Sequence, residues 1–260
     1  MFFSGCNFHC IGCIRRTSPW DCHLTDDVRS RLQLLSGIKK LSLDAMRRMI
    51  EPLDIKKAVL GGGEPTADGQ LVDVIRLLDN LNARTVLLTN GYALNENRIE
   101  KLKDAGLGEI CVSIKAIRDA LHIQYTGKSN ERVLRNFQLL YRSGIQVRAE
   151  SVLIPQLIGK DEIISIAIFI ASVGSSIPYR VDGYVPVQGT GWRAPFREEM
   201  IETVEEAKNY LEDVSYIYSG IELKGNVLNV YPQLQDDPRT DLVNSQKPRR
   251  LDDCPENCLM

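Results

Sequence analysis

From residue 56 onward the chain repeats a single unit, a short β-rich run followed by an amphipathic stretch, and this limits the fold more than any other feature. "KKAVL" (56–60) precedes "QLVDVIRLLDNL", with Leu71, Val74, Ile75 and Leu78 at helical spacing. "RTVLLTNG" leads into "NENRIEKLKDAG", where Gly106 reads as the helix stop. "EICVSIKA" leads into "NERVLRNFQLLYRSG", where Val133, Leu134, Phe137, Leu140 and Tyr141 share a face and Gly144 closes the helix. "IQVRAESVL" with "DEIISIAIFIASV", and "IPYRVDGYV" with "EEMIETVEEAKNYLED", continue the pattern. Counting "MFFSG" as the first strand gives six βα units. Such repetition predicts an α/β fold with a parallel sheet, either doubly wound or a barrel.

The strand faces favour the barrel. Cys111, Ser113 and Lys115 alternate with Ile110, Val112 and Ile114; Gln146, Arg148 and Glu150 alternate with apolar neighbours; Arg180, Asp182 and Tyr184 align. A sheet covered by helices on both faces should carry nearly continuous apolar strands. One polar face per strand instead predicts a barrel or partial barrel with a wet lumen and a site at the strands' C-terminal ends. From about residue 216 the pattern weakens into a polar, Pro-containing extension.

Several function classes lose support at this stage. A net charge of −2, with the two signs interspersed, gives no electrostatic footprint for nucleic acid. The longest apolar run, "IISIAIFIASV" at 163–173, is too short to cross a bilayer, and no signal peptide precedes the first cysteine. The expectation is a cytoplasmic protein. Seven cysteines, three of them clustered, make a poor disulfide framework for 260 residues.

Cys6, Cys10 and Cys13 have the spacing C-x3-C-x2-C in a segment bounded by Gly and Asn, so one loop can wrap all three sulfurs around a centre. A structural zinc normally closes with four Cys or His ligands, and an electron-transfer iron–sulfur cluster usually takes four cysteines. Three thiolates leave one iron of a cluster open. The alternative is a zinc site completed by His9, Cys22 or His23, although the spacing is unusual for zinc.

The cysteine motif after a first short strand, followed by "GGGEP" (61–65) after a second, resembles the radical S-adenosylmethionine superfamily over about residues 2 to 190. The resemblance implies a partial (β/α)6 barrel over 1–215, with 216–260 as a C-terminal extension. It also implies a [4Fe–4S] cluster on Cys6, Cys10 and Cys13, whose open iron binds S-adenosylmethionine and whose reduction cleaves it to a 5′-deoxyadenosyl radical. The radical chemistry is then borne by the cofactors, and no side chain is assigned as catalytic. By the same resemblance Gly62, Gly63 and Glu64 bind the methionyl amino group, and Thr89 and Asn90 of "LTNG" border the cofactor. Taken alone, a Gly triplet or an Asn-Gly pair is an ordinary turn.

Ser113, Lys115, Arg148 and Glu150, at the ends of the fourth and fifth strands, offer the charges and hydroxyl that such a cofactor needs. The alternative is an internal Lys115–Glu150 ion pair. "HIQYTGKSNERVLRNFQLL" (122–140), "FFSGCNFHC" and Lys115 resemble the activating enzymes of glycyl radical proteins. That group implies a protein or peptide substrate, an oxidoreductase working anaerobically and a flavodoxin- or ferredoxin-type electron donor. Three departures stand out: Ser113-Ile114-Lys115 replaces "DLK", "VPVQGTG" (185–191) lacks a His, and Gly12 stands where an apolar or aromatic residue commonly touches adenine.

Cys22, Cys254 and Cys258 are either unliganded thiols or ligands of an auxiliary iron–sulfur cluster or zinc, while Cys111 reads as a buried small hydrophobe. Trp192 and Arg193 face the substrate or cover the barrel's open side. Two further functions stay open: a radical enzyme acting on a small metabolite or modified nucleoside, and a non-enzymatic iron–sulfur or zinc protein.

Overall fold

The structure, a computed structural model, describes residues 1–16 and 41–218, together with the backbone of 227–229 and 243–245. Cys22, His23, Cys254 and Cys258 lie outside the described residues. Seven strands form one sheet: β1 (Phe2–Phe3), β2 (Lys57–Gly62), β3 (Arg84–Thr89), β4 (Glu109–Ser113), β5 (Gln146–Leu153), β6 (Tyr179–Gly183) and β7 (Val214–Ile217). Each pairs in parallel with the next in sequence, so spatial order equals chain order. A separate two-stranded ladder joins 227–229 to 243–245.

That order determines the shape. Each parallel crossover is right-handed, and if the sheet never reverses direction every helix lands on the same face. The other face becomes a lumen, and because β1 and β7 remain edges the barrel is partial. The connecting helices are α1 (Leu43–Ile50), α2 (Leu71–Asn80), α3 (Glu96–Asp104), α4 (Asp119–Thr126), α5 (Glu131–Arg142), α6 (Lys160–Val173) and α7 (Arg197–Ala207). Six βα units are therefore followed by a seventh strand, β7, which the sequence pattern had not singled out. It is only four residues long, with Val214 and Ile217 buried at its ends, too short for alternation to declare itself.

Local signals set the element ends. Asn95 caps α3 by accepting the Arg98 amide at 2.9 Å, and Ser42 caps α1 through the Ala45 amide at 3.2 Å. Gly106 and Gly144, with φ of 91° and 79°, stop α3 and α5. The core lies between the sheet's outer face and the helices. It contains Leu60, Leu87 and Ile110 from strands with Leu78, Leu102, Phe137, Ile166 and Met200 from helices. The apolar run at 163–173 belongs to α6, where Ile163, Ile166 and Ile170 are buried. Among the described residues no helix is long and apolar enough to cross a membrane.

Candidate cofactor site

The cysteine loop leaves β1 and is held on two sides by backbone. On one side, the amides of Gly61, Gly63 and Glu64 donate to the carbonyls of Met1, Phe3 and Gly5 at 3.0, 2.6 and 2.6 Å. A Cβ on Gly63 would stand 2.1 Å from the Gly5 carbonyl oxygen, and one on Gly62, whose φ is 98°, would stand 2.7 Å from the Phe2 ring. Glycine is required because two chains approach more closely than side chains allow. On the other side, His9 and Ile11 donate their amides to the carbonyls of Thr126 and Tyr125, both at 3.0 Å, in the last turn of α4. Cys6, Cys10 and Cys13 are thus strung between β2 and α4.

The "TGKSN" stretch is what fixes that second anchor. Gly127 ends α4 in the left-handed region at φ 79°. The Asn130 carboxamide donates to the carbonyls of Ala116 and Ile117 at 3.1 and 2.6 Å, while Asn136 donates to those of Gly91 and Leu94, both at 2.8 Å. These two asparagines hold α4 and α5 to the ends of β3 and β4. Phe8, at the loop's midpoint, is buried edge-on against Tyr92 and His122, with centroids 5.5 and 5.6 Å away.

Glu64 joins the glycine turn to the end of β3. Its buried carboxylate accepts from the Thr66 amide at 3.0 Å, the Thr66 hydroxyl, the Thr89 hydroxyl at 2.6 Å and the Asn90 amide at 2.6 Å. Three of these donors fall on Oε1 and one on Oε2, so Glu64 is locked in place between the glycine turn and the end of β3 with acceptor capacity left on Oε2. Asn90 continues the chain of contacts, donating to Asn7 Oδ1 at 2.7 Å.

Burial dominates the electrostatics at two of the sulfurs. Burial pushes the Cys6 thiol up, opposed by the Phe8 amide that donates to its sulfur at 3.4 Å and by Arg15. Burial likewise pushes Cys10 up to about 11, with Lys115 as the nearest charge pulling it down. Such thiols keep their protons at neutral pH until a metal replaces them. Among the described residues no three His, Cys, Asp or Glu side chains converge on the point a single ion would occupy. One thiolate per iron, as a cluster requires, keeps the sulfurs apart. Three thiols in one anchored loop, with the Phe8 N–H donating to Cys6, fit a cluster.

The lumen carries the charges expected from the strand pattern, with different pairings. Lys115 donates to the Ser113 hydroxyl, and no carboxylate pairs with it among the described residues. The Lys115–Glu150 ion pair is not formed: Glu150 takes Arg180 at 2.7 Å, and Arg180 also grips Asp182 at 2.8 and 3.1 Å. Register explains this, because Glu150 is directly opposite Arg180 on β6, whereas Lys115 lies beyond the end of β4. Arg148, two residues earlier on the same face, pairs with Glu109 at 3.2 Å near the strands' N-terminal ends. The structure therefore groups Ser113, Lys115 and Glu150 and leaves Arg148 apart. Burial raises the Asp182 carboxyl to about 7 against the pull of Arg180. Cys111 is buried as expected, its sulfur 3.5 Å from Glu150 Oε2.

The missing side chain at Gly12 is compensated from elsewhere. A Cβ there would meet Tyr184, Trp192 and Tyr125 at 3.0, 3.2 and 3.2 Å. Trp192 packs on Tyr125 and Tyr184, with centroids 6.2 and 5.9 Å apart, so it covers the cysteine loop. The Tyr184 hydroxyl, meeting Thr190 at 3.0 Å and accepting the Val187 amide at 3.1 Å, folds the loop that brings Trp192 back. Arg193 is tied to Glu199 by two bonds of 2.7 Å. Sequence reasoning put Arg180 and Asp182 on the polar strand face of the lumen but missed their pairing with each other and with Glu150. It also missed Tyr125, which only the folded loop brings to Gly12.

Compared with known proteins, residues 1–164 match the Radical SAM superfamily. A candidate glycyl-radical enzyme activating enzyme of Methanocaldococcus jannaschii is 31% identical over 220 residues, covering 81% of this chain and 77% of that protein. Two solved folds are alike. SuiB of Streptococcus suis has a TM-score of 0.62 in its S-adenosylmethionine-bound form, at 14% identity over 82% of this chain and 45% of SuiB. Its complex with the precursor peptide SuiA gives 0.62 at 16% identity, over 82% and 46%. A domain of the pyruvate-formate lyase-activating enzyme from Bacteroides vulgatus gives 0.53 at 15% identity, over 61% of this chain and 97% of that domain. The chain spans less than half of SuiB.

Proposed function

This chain belongs to the radical SAM superfamily, and from that premise we propose that it abstracts hydrogen from a protein or peptide partner, in the manner of a glycyl-radical activating enzyme. The observation that carries the reading is a loop of three cysteines, anchored on both sides by backbone, facing a glycine turn and a lysine with no carboxylate partner among the described residues. When bound, a [4Fe–4S] cluster and S-adenosylmethionine supply a 5′-deoxyadenosyl radical that takes a hydrogen atom from substrate carbon.

The chain's own residues hold, orient and shield. Cys6, Cys10 and Cys13 would hold the cluster. Main-chain carbonyls of Gly62 and Gly63 would accept the cofactor's ammonium, with Glu64 and Thr89 fixing their turn. Lys115, steadied by Ser113, would meet its carboxylate. Asn90 and Glu150 complete the border. Tyr125, Tyr184 and Trp192 keep water from the cysteine loop, and the Glu150–Arg180–Asp182 group lines the lumen a substrate segment enters. The reading includes a flavodoxin- or ferredoxin-type donor and anaerobic work in the cytoplasm. The candidate activating enzyme and the peptide-bound SuiB support the choice of partner.

The test uses anaerobically reconstituted full chain, dithionite, S-adenosylmethionine and a deuterated cell extract split into macromolecular and small-molecule fractions. Deuterium should reach 5′-deoxyadenosine from the macromolecular fraction. Transfer from the small-molecule fraction alone would overturn the partner assignment in favour of a metabolite or nucleoside.

A further inference from the structure

Six buried side-chain nitrogen or oxygen atoms among the described residues make no hydrogen bond: Asn7 Nδ2, Arg15 Nε, His122 Nε2, Asn136 Oδ1, Tyr179 Oη and Glu109 Oε1, the last held by the Arg148 ion pair. Buried polar groups without partners are uncommon and call for a physical reason. Arg15 Nε is a fixed donor. His122 Nδ1 sits 2.6 Å from the Lys128 carbonyl, so it carries the proton and leaves Nε2 as an acceptor. The two nitrogen donors left over, Asn7 Nδ2 and Arg15 Nε, both belong to the segment that carries the three cysteines.

The orientation of Asn7 follows from its neighbours. Asn90 Oδ1 accepts the Tyr92 amide at 3.0 Å, which fixes Asn90 Nδ2 as the donor of its carboxamide. That donor meets Asn7 Oδ1 at 2.7 Å, which fixes Asn7 Nδ2 as an N–H group turned the other way. Asn90 is itself held by its amide on Glu64 at 2.6 Å. A relay therefore runs from the glycine turn through the end of β3 into the cysteine loop, and it ends in a buried donor with nothing to donate to. Asn7 follows Cys6 directly, and the next amide, Phe8, already donates to Cys6 Sγ at 3.4 Å.

We infer that Asn7 is a positioning residue for the cluster, donating its Nδ2–H to a sulfur of the cubane or of its cysteine ligands. An N–H dipole directed at sulfur favours the form with one more electron, so the bond raises the cluster's reduction potential. The Glu64 carboxylate, holding the Asn90 amide, and the Asn90 carboxamide aim that bond, and Arg15 adds a positive charge beside Cys6. The inference rests on the reading that Cys6, Cys10 and Cys13 hold a cluster.

The experiment is a redox titration of the reconstituted full chain without S-adenosylmethionine, followed by EPR of the reduced cluster, for the wild type, Asn7→Ala and Asn90→Ala. Asn7→Ala should lower the ratio of reduced to oxidised cluster at fixed poise about tenfold, equal to about 59 mV for one electron. Asn90→Ala, which leaves the donor but removes what aims it, should shift the ratio the same way by less. It also serves as the readout if Asn7→Ala fails to take up iron. An exchangeable-proton coupling to the reduced cluster should be present in the wild type and weaker in Asn7→Ala. Unchanged potentials in iron-replete variants, or a shift to higher potential, would overturn the inference while leaving the cluster reading intact. A wild-type chain that takes up no iron would sink that reading and this inference together.

Discussion

Around β1, β2 and the cysteine loop the site is held by main chain: three amides of the glycine turn on one side and two carbonyls of α4 on the other. Around β5 and β6 it is held by side-chain charge, with one guanidinium shared between two carboxylates in the lumen. The first arrangement sets sulfur positions to within the tolerance of a hydrogen bond and permits almost no substitution, because a Cβ at Gly63 collides with backbone. The second tolerates change of shape as long as charge stays balanced. Fixed cofactors need the former, and a lumen that receives a partner's segment can use the latter.

The difference predicts separable defects. Removing the cation from the second region should cost most in stability: Arg180→Gln leaves the largely buried Glu150 and Asp182 facing each other without it, a loss on the order of 2 to 3 kcal/mol, below that of a fully buried broken pair. Urea denaturation should register it. Iron uptake at low temperature should stay near wild type, since no cysteine anchor involves Arg180. The Asp182 carboxyl, already raised by burial, would lose the pull of Arg180 and titrate higher still in the folded chain, so the variant should lose further stability as pH rises through neutrality. If Arg180→Gln loses iron in proportion to stability, the two regions are not separable.

The converse substitution acts on the first region. Gly63→Ala should cost about 2 kcal/mol in stability, a typical overpacking value, but should reduce iron incorporation severalfold because the Gly5 carbonyl, one residue before Cys6, must move. Normal iron content in this variant would break the distinction. Iron assay on protein reconstituted in parallel with the wild type decides it.

A smaller effect sharpens the role of the α4 anchor. Burial holds the His122 imidazole below its usual 6.5, so the folded state binds fewer protons than the unfolded state as pH falls. Its contribution is present above that value and is lost on acidification. Melting temperatures between pH 7.5 and 5 should fall more steeply for the wild type than for His122→Gln. Equal slopes would remove His122 from the account.

Much of this was legible before folding. The β-then-α repeats and polar strand faces anticipated the lumen, and the cysteine spacing anticipated the loop. What spacing could not convey was who pairs with whom across the sheet. Arg148 and Glu150 sit on one face two residues apart, yet Glu150 is spent on Arg180 directly opposite it on β6, while Arg148, opposite Cys111, reaches diagonally across β4 to Glu109. Nor could spacing convey that the Glu64 carboxylate gathers four donors from two stretches of chain, Thr66 beside it and Thr89–Asn90 at the end of β3. Gly12 looked like a gap until three rings from distant positions filled it.

The account stands on three thiolates holding a cluster with one iron left for S-adenosylmethionine. Its most direct test is quantitation of iron, sulfide and 5′-deoxyadenosine in anaerobically reconstituted, dithionite-reduced wild type and Cys10→Ala. The wild type should form 5′-deoxyadenosine, and Cys10→Ala should lose about four iron atoms per chain and all product above background. A colourless wild type carrying a single zinc and forming no 5′-deoxyadenosine would contradict the account at its root.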